Sequence, residues 1–178
     1  MTKQFEEKKF DIPALKGISA KTIEEHLKLY AGYAKNTNEL LGGEEYNRRF
    51  PFEFNGMRNH EIYFSHFEGG PKPLPNDSEL VKAGFDLEKF KALALTRGVG
   101  WAIVYYDPIS EQLIHSWVDE QHLGQLSGSI PILALDMWEH SFVADYQPSG
   151  KKQYVEDFFE NLNWQNVEEN FASATRLQ

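Results

Sequence analysis

Ile130-Pro131-Ile132-Leu133-Ala134-Leu135 is an unbroken apolar run that stops abruptly at Asp136-Met137-Trp138-Glu139-His140. Such a run, with no polar alternation, reads as a strand covered on both faces, so the chain has to supply a layer on either side of it. The segment after the strand is harder to bury. A carboxylate and an imidazole four residues apart are costly to hide unless something offsets their lost hydration. A metal ion would do so. The other reading is that Asp136 caps the next helix while His140 sits hydrogen-bonded in its first turn.

Composition narrows the choices. The 178 residues, 41% hydrophobic and 14% aromatic, can bury a real core. No apolar run approaches the roughly 20 residues of a membrane-spanning helix, so a membrane partner is not expected. The N-terminal MTKQFEEKKFDIPALKG carries charges where a signal peptide needs its apolar segment, which predicts a cytoplasmic protein. The absence of cysteine removes disulfides, thiolate zinc sites and cysteine nucleophiles, leaving nitrogen and oxygen to hold any metal. A net charge of -9 with no basic stripe argues against nucleic acid, though a small anionic substrate stays compatible with a locally positive funnel.

Periodicity predicts one long helix from Thr22 to about Leu41, with Ile23, His26, Tyr33, Thr37 and Leu40 or Leu41 recurring near the helical repeat and Gly42-Gly43 ending it. Glu44 to Pro51 reads as a polar connector, and a second helical pattern runs from Met57 to Phe67. Gly69 to Ser78, GGPKPLPNDS, is the strongest break in the chain. It sets the predicted boundary between residues 1–72, an N-terminal α-helical hairpin domain, and residues 73–178, a C-terminal α/β domain. Within the latter, a helix opens at Asp86, strands are expected at 100–106, 113–118 and 130–135, and two helices are hinged near Asn163-Trp164. The fold class is α+β with a three-stranded antiparallel sheet.

The six histidines differ in context. His66, His115 and His122 lie in polar or turn-like surroundings and are expected at the surface. His26 and Tyr33 would lie about 20° apart around the first helix and two turns apart along it, facing the same way. Each could equally be a core residue with its polar tip satisfied. His60, after Asn59, falls on the inward face of the second helix, where a lone histidine is usually structural. Together, His26, His60, Asp136 and His140 provide three nitrogens and one carboxylate oxygen from three segments, a set suited to a first-row transition metal and also usable by zinc.

The segment Asp136-Met137-Trp138-Glu139-His140 resembles the signature of the iron/manganese superoxide dismutases. The resemblance spans nearly the whole chain, through His26 and Tyr33, Asn59-His60, Gly98-Val99-Gly100-Trp101 and Asn163-Trp164. It implies that His26, His60, Asp136 and His140 ligate one manganese or iron ion per subunit, which cycles between trivalent and divalent states while superoxide is converted to dioxygen and hydrogen peroxide. It implies Tyr33 as a gateway phenol and Gln121, or by one residue of slippage His122, as the group hydrogen-bonded to metal-bound solvent. Trp101 and Trp138 would wall the cavity. Glu139 would reach across a homodimer interface toward the partner's ligand histidine, with a tetramer as a further possibility. Gly56, four residues before His60, would leave room for a side chain arriving from the other domain; this resembles the manganese-type pattern, the iron type usually carrying glutamine there. Ala134 lies where relatives vary with metal preference and gives no vote.

Two departures stand out. Many relatives have one more residue between the first ligand and the gateway tyrosine, and the interface histidine–tyrosine pair of the family is replaced by Leu29 and Val143. Loss of both partners together is coherent, because either alone would be an unpaired polar group at a buried contact. A mononuclear zinc hydrolase and a non-catalytic metal-binding protein are the rival classes; the hydrolase would need Glu139 to face the metal as general base.

Overall fold

The computed structural model describes residues 3–43 and 48–176. Helix α1 spans Ala20–Gly42. Ser19 starts it, its hydroxyl oxygen accepting the Thr22 N–H at 3.2 Å. Ile23, His26, Tyr30, Ala34 and Thr37 form its buried face, the three- and four-residue spacing of an amphipathic helix.

Helix α2 covers Arg49–Ser65, eight residues longer at its start than the Met57 pattern predicts. Residues 44–47 of the expected connector lie outside the described residues, whereas 49–51 are helical. Pro51 is tolerated there because the first turn of a helix has no use for its missing N–H. Glu53 is buried against α1 and held by Arg49 Nε at 2.8 Å and Asn36 Nδ2 at 3.1 Å. A paired acid therefore occupies a position where the periodic pattern looks for an apolar residue.

Next comes the glycine and proline break. Gly69 and Gly70 both take positive φ, 76° and 75°, and the extended chain after them is clamped by the hinge between the last two helices. Lys72 N–H donates to the Leu162 carbonyl at 3.0 Å, and Trp164 N–H donates to the Lys72 carbonyl at 3.2 Å. A one-turn helix α3, Glu79–Lys82, which periodicity does not reveal, precedes α4, Leu87–Ala94. Asp86 caps α4 by accepting the Lys89 N–H at 3.1 Å.

The sheet is antiparallel, with β1 (Gly100–Asp107) between β2 (Gln112–Asp119) and β3 (Ile130–Asp136). Expected and observed strands differ by at most one residue at each end. Trp101 on the central strand is paired with Val118 on one side and Asp136 on the other. A register shift at Val104/Tyr105 falls opposite Pro131, which has no N–H to give the ladder. Helices α2 and α7 (Trp164–Thr175) pack against β3, supplying the cover that its apolar run requires. After a 3-10 turn at Glu139–Ser141 come α5 (Val143–Tyr146), a second 3-10 turn at Pro148–Gly150 and α6 (Lys151–Asn161). Tyr63 of α2 stacks on Phe158 of α6 with ring centroids 5.7 Å apart, fastening the first helices to the last. Among the described residues, no helix is long and apolar enough to cross a membrane.

Candidate metal centre

Asp136 is the last residue of β3 and is fully buried. Its two carboxylate oxygens point to different tasks. Oδ1 accepts the Trp138 N–H at 2.8 Å, shaping the turn that leaves the strand. No regular helix begins there, so the capping reading reduces to this local bond. Oδ2 faces three imidazoles: His26 Nε2 at 3.0 Å, His140 Nε2 at 3.1 Å and His60 Nε2 at 3.6 Å. One donor atom from each of the four residues falls within 4.8 Å of all the others. The backbone under this carboxylate is also held: the Asp136 carbonyl accepts Tyr154 Oη–H at 2.9 Å, and Ser141 Oγ, which donates to the Trp138 carbonyl at 2.6 Å, lies 3.0 Å from it.

His26 comes from the buried face of α1 and His60 from α2. His60 Nδ1–H donates to the Gly56 carbonyl at 2.6 Å, which leaves Nε2 as a bare lone pair. That nitrogen is buried with no protein partner. A lone pair aimed at a carboxylate oxygen is repulsive unless a cation lies between them, so the donor set fits a metal ion and is poorly satisfied without one. Burial lowers the pKa of His26 despite its contact with Asp136, and burial together with the neighbouring His26 pushes His60 down to about 3. Burial alone would raise the Asp136 pKa, but the charges and hydrogen bonds of His140 and His26 carry it below the usual carboxylate range. Metal ligation requires the same direction of shift that His26, His60 and Asp136 show, toward unprotonated imidazoles and an ionised carboxylate.

Around these four residues, Trp101 meets the His60 ring edge-on at 5.0 Å and Trp138 stacks on His140 at 5.9 Å and 20°. The Tyr33 ring lies 5.1 Å from His60. Burial, with the negative charge of Asp136, raises the Tyr33 pKa, while its bond to Gln121 lowers it only in part. Gln121 is fully buried; its Nε2 donates to Tyr33 Oη at 3.0 Å and its Oε1 accepts Trp101 Nε1–H at 2.8 Å. His122 instead turns its ring toward Phe52, 5.8 Å away. Glu139 is exposed in the single chain, and Leu29 is 42% exposed. Val143 is half-buried.

A Cβ built at Gly56 would lie 2.6 Å from Tyr33 Cδ1, so the ring from the neighbouring helix of the same hairpin packs against this glycine. The expectation that three histidines lie at the surface needs correction. His66, expected at the surface, is fully buried, and its Nε2 accepts the backbone N–H of Ala134 at 3.1 Å. His115 and His122 are half-buried rather than exposed, with His115 against Phe85 at 5.7 Å. Other contributors escape sequence reading altogether. Tyr154 reaches Asp136 from α6 and is joined to Tyr63 at 3.1 Å, with no local signal to mark it. Gln125 touches both Asn59 and Gln121, and its spacing of four from Gln121 is the one hint.

Three imidazoles and one carboxylate converging from two helices and the end of a strand define a mononuclear site of the first-row transition-metal class. Residues 83–170 match the family described as iron/manganese superoxide dismutases, C-terminal domain. The chain is similar to the superoxide dismutase [Mn] of Mycolicibacterium paratuberculosis, at 30% identity over 84% of this chain and 82% of the relative. It is similar to the same extent, 30% over 91% and 88%, to the superoxide dismutase [Fe] of Aquifex aeolicus, and at 28% over 94% and 92% to the superoxide dismutase [Mn/Fe] of Aeropyrum pernix. The chain belongs to the iron/manganese superoxide dismutase family.

Proposed function

We infer that this protein is a superoxide dismutase, converting two superoxide anions and two protons to dioxygen and hydrogen peroxide, with His26, His60, Asp136 and His140 as the ligands of one manganese or iron ion. The observation that carries this reading is the convergence of three imidazole Nε2 atoms on a single buried carboxylate oxygen. When bound, the ion supplies one-electron oxidation and reduction of superoxide by turns.

The chain's own residues supply everything else. Asp136 offsets part of the positive charge, and the Gly56 carbonyl fixes the tautomer and the tilt of His60. Tyr33, its pKa raised, holds its proton at neutral pH and presents it beside His60. Gln121 orients that phenol and is in turn oriented by Trp101. What supports Gln121 over His122 in the solvent-binding role is this pair of bonds, together with its complete burial. Trp101 and Trp138 exclude bulk water from the imidazoles.

Manganese is favoured over iron, supported by glycine at position 56 with Gln121 approaching from the loop after β2; Ala134 does not discriminate. The same reading divides the chain into residues 1–72, contributing His26 and His60, and 73–178, contributing Asp136 and His140. It makes the protein a homodimer through the Glu139/His140 region, with exposed Glu139 and Leu29 supporting that surface. A cytoplasmic location goes with it. Metal content by mass spectrometry, and superoxide decay after reconstitution with manganese and separately with iron, test the assignment. Inactivity in both forms overturns it, and zinc as the sole bound metal would favour hydrolysis.

A further inference from the structure

We propose that Gln125 is a positioning residue for the reaction: with Tyr105 behind it, its side-chain amide holds the backbone of Gln121 and so keeps the Gln121 side chain against Tyr33. This rests on the dismutase reading above.

Gln121 belongs to the loop between β2 and β3, directly after Glu120, which adopts φ 53°. Its side chain is committed to Tyr33 and Trp101, so its place depends on what holds its main chain. A carbonyl in a buried loop has no ladder partner and must find donors elsewhere. Two reach the Gln121 carbonyl: Asn59 Nδ2 at 3.2 Å, from α2, and Gln125 Nε2 at 3.3 Å. The same Gln125 nitrogen lies 3.1 Å from Asn59 Oδ1. Its two hydrogens therefore bridge the loop carbonyl and the residue next to His60. The flipped amide would set its oxygen against two acceptors, and Tyr105 Oη–H donates to Gln125 Oε1 on the far side. The orientation of Gln125 is thus determined from both ends.

The carbonyl one residue earlier is pinned independently, Glu120 O accepting Trp138 Nε1–H at 3.0 Å. Gln125 braces the direct Asn59 bond with a second link between the loop and the α2 helix that carries His60. A donor placed 3.0 Å from a phenol tolerates little displacement before the bond weakens. Gln125 is half-buried and lines a cavity of about 980 Å³ bordered by Phe10, Arg58 and Ile130, so replacing it disturbs this network more than the core.

The test uses Gln125→Leu, which removes both donors at similar bulk, with Tyr105→Phe, which leaves the amide in place but frees its far end. In the metal-free protein labelled with 15N-glutamine, the Gln121 side-chain amide signals are assigned by their loss in Gln121→Leu. In the manganese-loaded protein, the pH profile of superoxide decay is recorded. In Gln125→Leu the Gln121 signals should move toward the exposed-amide position and broaden, metal content should stay unchanged, and superoxide decay should slow about tenfold with an altered pH profile. Tyr105→Phe should shift the same signals by less. Unmoved Gln121 signals in folded Gln125→Leu overturn the proposal, whether or not activity falls. Should that variant not fold, the Gln121 signals in Tyr105→Phe decide in the same way. An inactive wild type would overturn the dismutase reading alone, because the amide comparison is made without metal.

Discussion

Gln121 Nε2 lies 3.0 Å from the Tyr33 hydroxyl, joining a loop of the sheet to the first helix beside the His60 ring. The bond gives the phenol a fixed direction, and Trp101 gives the amide its own. Replacing Gln121 by Ala, or Tyr33 by Phe, should lower the superoxide decay rate by roughly tenfold or more, up to the about hundredfold that losing one oriented donor at a reacting centre can cost. Metal content should not change, because neither side chain belongs to the ligand set. Rapid-mixing kinetics paired with metal analysis check this, and a variant that lost its metal would place the residue among the ligands instead.

Metal removal should be felt across the whole molecule. The four proposed ligands join α1, α2, the end of β3 and the turn after it, and without a cation His60 Nε2 is a buried lone pair with no protein partner. An ion bound only by the folded state stabilises it by about 4 kcal/mol at a thousandfold excess over its dissociation constant. At about 2–4 °C per kcal/mol for a chain of this size, the loaded protein should melt about 8–16 °C above the chelated one. His60→Ala should melt at the same temperature with or without added manganese, and calorimetry of the four samples decides the matter.

The cluster of His26, His60, Asp136 and His140 was readable from sequence because its members sit in separate, chemically conspicuous contexts: histidines on inward helix faces, and a carboxylate at the end of an apolar strand. The first turns of α2 were not readable, because Glu53 is buried through pairing with Arg49 and Asn36 rather than through apolarity. His66 was misplaced for a related reason. Ser65 before it and Glu68-Gly69-Gly70 shortly after it look like a helix end in water, while its actual partner is a backbone N–H of β3 that no side-chain pattern encodes. Gln125 stayed hidden because what it holds is a main-chain carbonyl and an asparagine 66 residues away.

Gly56 should tolerate little. A Cβ at this position would lie 2.6 and 2.8 Å from two Tyr33 ring carbons, and the ring cannot move away without breaking its bond to Gln121. Gly56→Ala should therefore destabilise the protein by about 1–3 kcal/mol, in the range of an overpacked core. Dismutation should fall with it, whereas Gly32→Ala, in the interior of α1 where a Cβ meets nothing within 4 Å, should leave dismutation unchanged and raise stability by about 0.5–1 kcal/mol. Urea midpoints and decay rates of the two variants provide the comparison.

His66 makes stability depend on pH in a direction that can be worked out. Burial pushes its pKa from 6.5 down to about 3, so the folded protein keeps the ring neutral where the unfolded chain binds a proton. Stability from this residue is complete above pH 6.5 and is lost as pH falls from 6.5 toward about 3. At pH 4.5 the loss is about 2–3 kcal/mol, each pH unit below the unfolded value counting for about 1.4. His26 and His60 act in the same direction, so they cancel when wild type and His66→Gln are compared. The variant cannot titrate, yet its amide can still accept the Ala134 N–H. It should be the less stable protein at pH 7, for lost packing, and should approach or overtake wild type by pH 4.5. Urea unfolding of the two metal-free proteins across this range measures the difference, and parallel pH curves would show that His66 is protonated alike in the folded and unfolded chain.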